Sequence, residues 1–152
     1  MAATSPFPWF WCNPAGSRPN LGAISTELKS KGARLVITVA DTCNAIIPVT
    51  EVPLTARGVI EERIRTMFLN YKGSILVTSS KRDQRSWYYP FGGGGFFTEK
   101  FLRLLRNPPD NPDNKLWDGI LESARKEIAV PYPGGPITQV PEIPTPDLVF
   151  SP

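Results

Sequence analysis

At 152 residues, 41% hydrophobic and 20% charged, the chain has the make-up of one globular domain with room for a real core. Its net charge of +3 is small and spread along the sequence, which argues against a nucleic-acid surface. No apolar stretch approaches the roughly 18 residues of a membrane span. Met1 to Pro8 lacks the basic and apolar regions of a signal peptide, so a cytoplasmic location with Cys12 and Cys43 reduced is expected.

Prolines at 6, 8, 14 and 19 make residues 1–19 an irregular, Trp-rich start. Asn20 then predicts a cap for a helix reaching about Lys31, with Leu21, Ile24 and Leu28 at helical spacing and Gly32 as its stop. Leu35 to Ala40 reads as a strand, apolar on both faces apart from Thr38, the pattern of a central parallel strand. Thr55 predicts the cap of a second helix over about 56–71, with an inward stripe of Val59, Ile60, Ile64, Met67 and Phe68 and Gly73 as its end. Ser74 to Ser79 is the second strand. Strand, helical crossover and strand together predict a right-handed parallel unit.

Beyond the run Gly92 to Gly95, Thr98 is placed as the cap of a third helix carrying Phe101, Leu102, Leu104 and Leu105, stopped by Asn107-Pro108-Pro109-Asp110. A fourth helix, about Lys115 to Ile128, presents Trp117, Ile120, Leu121, Ala124 and Ile128. Residues 20–129 thus form the α/β domain, and 130–152 form a proline-rich tail. Two confident strands make a thin, mostly parallel sheet. Either Trp9-Phe10-Trp11 and Leu148-Val149-Phe150 add strands, or the sheet is incomplete at its N-terminal side and a homo- or hetero-oligomer completes it.

The chemistry centres on one thiol. Cys43 follows the end of a strand, where an open α/β sheet presents reactive groups, yet the chain contains no histidine. No second cysteine stands three residues away, which excludes a dithiol pair, and two cysteines without histidine make no ordinary zinc site. Val49 stands where a phosphate-cradling thiolate loop needs arginine. The glycine run lacks the Lys-Ser/Thr pair of a P-loop and reads as a loop in which backbone approaches backbone. Neither metal nor cofactor is expected.

Four blocks carry a resemblance. Lys31 to Leu35 leading into Asp41-Thr42-Cys43-Asn44 resembles the nucleophile strand of the caspase and metacaspase superfamily, with an acidic residue two before the cysteine. Ser79 to Ser86 resembles the strand end and pocket loop of metacaspases; Gly95-Phe96-Phe97-Thr98 resembles their Gly-x-Phe-Thr helix start. Thr138-Gln139-Val140-Pro141 resembles their late Gln-x-Pro sequence.

The resemblance implies a caspase-like three-layer α/β fold and a cysteine endopeptidase with a peptide or protein substrate. Cys43 would be its nucleophile. Asp41, Asp83, Gln84, Ser86 and Trp87 would bind substrate, and Asp41 would favour a basic residue before the scissile bond by charge complementarity. The family's general base is a histidine on the strand before the nucleophile strand, and no histidine precedes Cys43 here. An unassisted thiol with a pKa of about 8.5 is only a few per cent thiolate at neutral pH. A nearby carboxylate opposes its ionisation further. The chain alone is therefore expected to be weak or inactive, as the fragment of a longer protease or as a non-catalytic pseudo-protease that binds peptides or a protease partner. In plainer accounts, Cys43 is a small core residue and Asp41 caps the turn after the strand.

Overall fold

The computed structural model describes residues 20–41, 45–46, 61–81, 84–89, 94–109, 115–131 and 135–151. In chain order its elements are α1 (Leu21–Ser30), β1 (Leu35–Ala40), β2 (Ala45–Ile46), α2 (Glu61–Leu69), β3 (Tyr71–Thr78), β4 (Trp87–Tyr89), β5 (Gly94–Gly95), α3 (Phe96–Arg106), α4 (Leu116–Arg125), β6 (Ile128–Val130), β7 (Ile137–Gln139) and β8 (Asp147–Phe150). They form a mixed α/β fold with three small sheets, ordered β1-β3-β8, β2-β4-β5 and β6-β7. No helix among the described residues is long and apolar enough to cross a membrane.

Local signals place the first elements as expected. The Asn20 side chain accepts the Ala23 N–H at 3.0 Å and starts α1, and Gly32 follows with a φ of +81°. β1 occupies the expected six residues and pairs in parallel with β3, Leu35 opposite Gly73 and Ala40 opposite Thr78. α1 packs on both strands with Leu21 buried.

The face of this sheet bearing Ile37, Tyr71, Ile75, Val77, Leu148 and Phe150 meets Met67, Phe97, Phe101, Trp117, Ile120 and Leu121 in the main core. Each such fully buried apolar side chain contributes on the order of 1.5–3 kcal/mol. The Trp117 indole N–H donates to the Met67 carbonyl at 2.8 Å, so the largest core side chain leaves no polar atom unpaired.

Several expectations change. The main sheet is mixed rather than mostly parallel, because β8 joins β3 antiparallel, Tyr71 opposite Phe150. Prolines between 131 and 146 exclude a crossover helix there, and a parallel return needs one. The proline-rich tail packs on the domain, with Gln139 and Ile143 buried. Leu148 to Phe150 does add a strand, whereas Trp9 to Trp11 lies outside the described residues.

In α2, Ile64 and Phe68 are exposed and only Met67 of the expected stripe is buried; Val59 and Ile60 are outside the described residues. The helix is held instead through its terminal carbonyls and by Phe68, edge-on to Trp117 at 6.0 Å. Gly73 is not a helix stop but a residue of β3, with φ +118° and a β8 backbone so near that a Cβ would lie 1.7 Å from the Asp147 carbonyl oxygen. α4 ends at Arg125, and Ile128 opens β6.

Candidate functional site

β1 and β3 finish side by side. The Ser79 N–H donates to the Ala40 carbonyl at 2.9 Å, and Asp41 is the next residue outward. Its carboxylate is half-buried and takes three hydrogen bonds from described residues. Oδ1 accepts the Ser86 hydroxyl at 2.6 Å; Oδ2 accepts the Thr98 N–H at 3.0 Å and the Thr98 hydroxyl at 2.6 Å.

That geometry explains the start of α3. The residue in its capping position is Gly95, which has no side chain to accept the free N–H groups of the first turn. Asp41, 57 positions before Thr98, supplies the missing acceptor and sets a negative charge against the positive end of the helix. The close approach requires a glycine, since a Cβ on Gly95 would stand 2.0 Å from Asp41 Oδ2. Thr98, expected as the cap, is instead the third helical residue and a donor to the remote carboxylate. Asp41 thus caps a distant helix, while the turn that follows it, residues 42–44, lies outside the described residues.

A strip of the C-terminal segment closes the neighbourhood. Glu142 exchanges backbone hydrogen bonds with Thr78 at 2.9 and 3.1 Å, and the Lys81 N–H donates to the Val140 carbonyl at 2.8 Å. Gln139, wholly buried, accepts the Trp87 N–H at 2.9 Å and donates to the Ser79 carbonyl at 2.9 Å.

The sequence-derived site residues fall as follows. Cys43 and Asp83 lie outside the described residues. Asp41 and Ser86 touch directly, and Ser86 is buried. Gln84 is exposed at its side chain, accepts the Val140 N–H at 3.2 Å, and through its carbonyl accepts the Ser80 hydroxyl at 3.2 Å. Trp87 begins β4, opposite Ala45 of β2, with the Arg85 guanidinium 5.9 Å over its ring. The strip thus joins Gln84 and Trp87 to the Asp41 cluster without either touching the carboxylate.

Two members were not placed in the site by sequence reasoning. Thr98 had a plainer use as a helix cap. Gln139 stood in the Gln-x-Pro block of the resemblance, without a role in the site.

Among the described residues no lysine or arginine pairs with Asp41, and Oδ1 accepts one hydrogen bond where a carboxylate oxygen has two lone pairs. A cationic group is the donor such a carboxylate takes most strongly. No group of three or more His, Cys, Asp or Glu among the described residues could hold a metal. A groove of about 650 Å³ between α4 and residues 143–146, lined by Asp118, Leu121, Glu122, Arg125, Ile143, Thr145 and Pro146, shares no residue with the cluster. Comparison with protein-family models, curated proteins and solved structures finds no match to this chain.

Proposed function

We propose that the chain is a caspase-like cysteine endopeptidase domain whose site is built around Asp41 and Cys43. One observation carries the reading. The four sequence blocks that resemble metacaspases, spread from Asp41 to Gln139, converge in one hydrogen-bonded neighbourhood: Asp41 with Ser86 and Thr98, and Gln139 with Ser79 and Trp87. Unrelated blocks in a chance resemblance have no reason to meet.

In this reading Cys43 is the nucleophile, two residues past Asp41 and so within about 7 Å of it along the chain. Its thiolate adds to the scissile carbonyl, its own N–H helps stabilise the oxyanion, the amine departs with a proton, and water hydrolyses the thioester. Asp41, held by Ser86, receives the side chain before the cut, and Asp83, Gln84 and Trp87 are assigned to the same pocket by the resemblance. The half-buried carboxylate, without a cationic partner among the described residues, favours lysine or arginine there.

The thiol proton has no imidazole to go to, since the chain contains no histidine. Loss of a general base removes about two to four orders of magnitude in rate. Turnover by this chain alone is therefore weak or absent, and that same sequence fact favours a second reading, a pseudo-protease module that binds basic peptides without cleaving them.

Labelling decides between them. An Arg-directed, mechanism-based electrophile should modify Cys43 about tenfold faster than its Asp-directed counterpart, the discrimination one added charge-assisted contact supplies. Equal rates, or labelling that merely tracks free-thiol ionisation, would sink the peptidase reading. Robust Cys43-dependent cleavage of fluorogenic peptides would refute the inactivity of the isolated chain.

A further inference from the structure

We infer that Gln139 is a positioning residue that sets the specificity of the Asp41 cluster, by pinning both ends of the connection that delivers Ser86; this rests on the peptidase reading above. The Gln139 carboxamide is wholly buried, where an unpaired amide is costly, yet both its ends are used. Oε1 takes the N–H of Trp87, the first residue of β4; Nε2 gives its hydrogen to the carbonyl of Ser79, just past β3. Both partners are backbone groups, so the contact governs where the chain lies, whatever side chains it carries. A planar amide presents donor and acceptor at a fixed separation, so it fixes the gap between the two strand ends.

Ser86 immediately precedes the pinned Trp87 N–H. Its hydroxyl is buried and meets Asp41 Oδ1 at 2.6 Å. A shift of Trp87 therefore moves Ser86 relative to the carboxylate, and with it the orientation in which Asp41 is held. The rest of the strip stiffens the arrangement, through the Lys81 N–H to the Val140 carbonyl and the Val140 N–H to Gln84 Oε1. No hydrogen bond joins Gln139 to Asp41, Ser86 or Thr98 among the described residues, so it acts through the main chain. Leucine would fill the same space but leave the buried Ser79 carbonyl and the part-buried Trp87 N–H without this partner. Glutamate would turn an oxygen towards the Ser79 carbonyl.

The test compares the full chain with Gln139→Leu and Gln139→Glu by amide hydrogen exchange, and by the rate at which Cys43 reacts with an Arg-directed electrophile relative to iodoacetamide. Exchange at Gln84 to Trp87 should rise about tenfold while the core amides of Ile75 and Val77 hold theirs, as expected for a local opening. The Arg-directed rate should fall about tenfold with the iodoacetamide rate unchanged, the cost of misplacing a contact by a fraction of an ångström. Exchange that rises equally in Ile75 and Val77, or two labelling rates that fall in proportion, would mean that Gln139 only stabilises the fold and would overturn the inference. If Gln139→Leu shows no cooperative melt, Gln139→Asn, which keeps the amide but withdraws it by one methylene, carries the same prediction. A wild-type chain without preference for the Arg-directed reagent removes the peptidase reading and the specificity role with it, while the exchange arm still decides whether Gln139 places Ser86.

Discussion

Two charges bracket β1, and each sits on a helix terminus of the sign it complements. Before the strand, the Arg34 guanidinium donates to the carbonyls of Phe68, Leu69 and Tyr71, at and just beyond the end of α2. After it, Asp41 accepts from Thr98 at the start of α3. Arg34 is exposed and its partners are all backbone carbonyls, so water competes for the bonds to Phe68 and Leu69. Asp41 is half-buried, receives two side-chain hydroxyls besides a backbone N–H, and requires a glycine beside it. Helix capping by a charge is thus common to both ends. Convergence of distant polar side chains belongs to the Asp41 end, and that is what separates a site from a structural clip.

Replacing Asp41 by Ala should cost the most, about 3 kcal/mol, because three hydrogen bonds to a charged group are lost and the buried Ser86 hydroxyl is left unpaired. Gly95→Ala should cost nearly as much with every charge retained, since the added Cβ displaces the carboxylate from its donors. Urea denaturation at constant m measures both. A loss below about 1 kcal/mol in either would reduce the Asp41 end to the standing of the Arg34 end.

Arg34→Ala is expected to cost only about 1 kcal/mol, and less at high salt. It should leave labelling at Cys43 untouched. A larger loss, or a changed labelling rate, would erase the contrast.

The smallest effect belongs to Tyr71, whose buried hydroxyl lies near the first turn of α4 without a hydrogen-bond partner among the described residues. Tyr71→Phe should therefore be neutral or gain up to about 1 kcal/mol near pH 7. Burial is the main cause that raises the Tyr71 phenol above its ordinary value of 10.0, opposed in part by the Trp117 backbone. On unfolding, the phenol ionises at the lower pH, so its contribution is complete below pH 10 and declines as pH rises through the folded value. Melting curves taken across that range should fall less steeply for Tyr71→Phe than for the wild type. Parallel slopes would show that another group governs alkaline unfolding.

What could be seen in the sequence follows the range of the interactions involved. Asn20 and Ala23 are three positions apart, and the cap was visible as a residue type before an apolar-periodic run. β1 was visible because an unbroken apolar stretch with β-branched residues has few other uses. The α2 stripe misled because periodicity tells which side chains share a face, not whether a partner covers it. Ile64 and Phe68 share the right rows and remain exposed. Gly73 read as a stop because a positive φ at a helix end and a glycine forced by a neighbouring strand look alike in one dimension.

The site divides along the same line. Asp41, Gln84, Ser86 and Trp87 were nominated from local blocks, and their meeting could only be supposed. Thr98 and Gln139 gained their present parts only when chain segments 57 and 52 positions from their partners came together.

By itself the sequence determined α1, β1, the core of α4 and the absence of an imidazole, because propensity, capping and composition act within a few residues or need no partner at all. Only the tertiary structure decided that the tail supplies β8 and the Gln139 strip, and that Asp41 caps α3. Those outcomes depend on which distant backbone arrives within hydrogen-bonding distance of a buried polar group, and solvent exclusion then makes that partner the one the chain must keep.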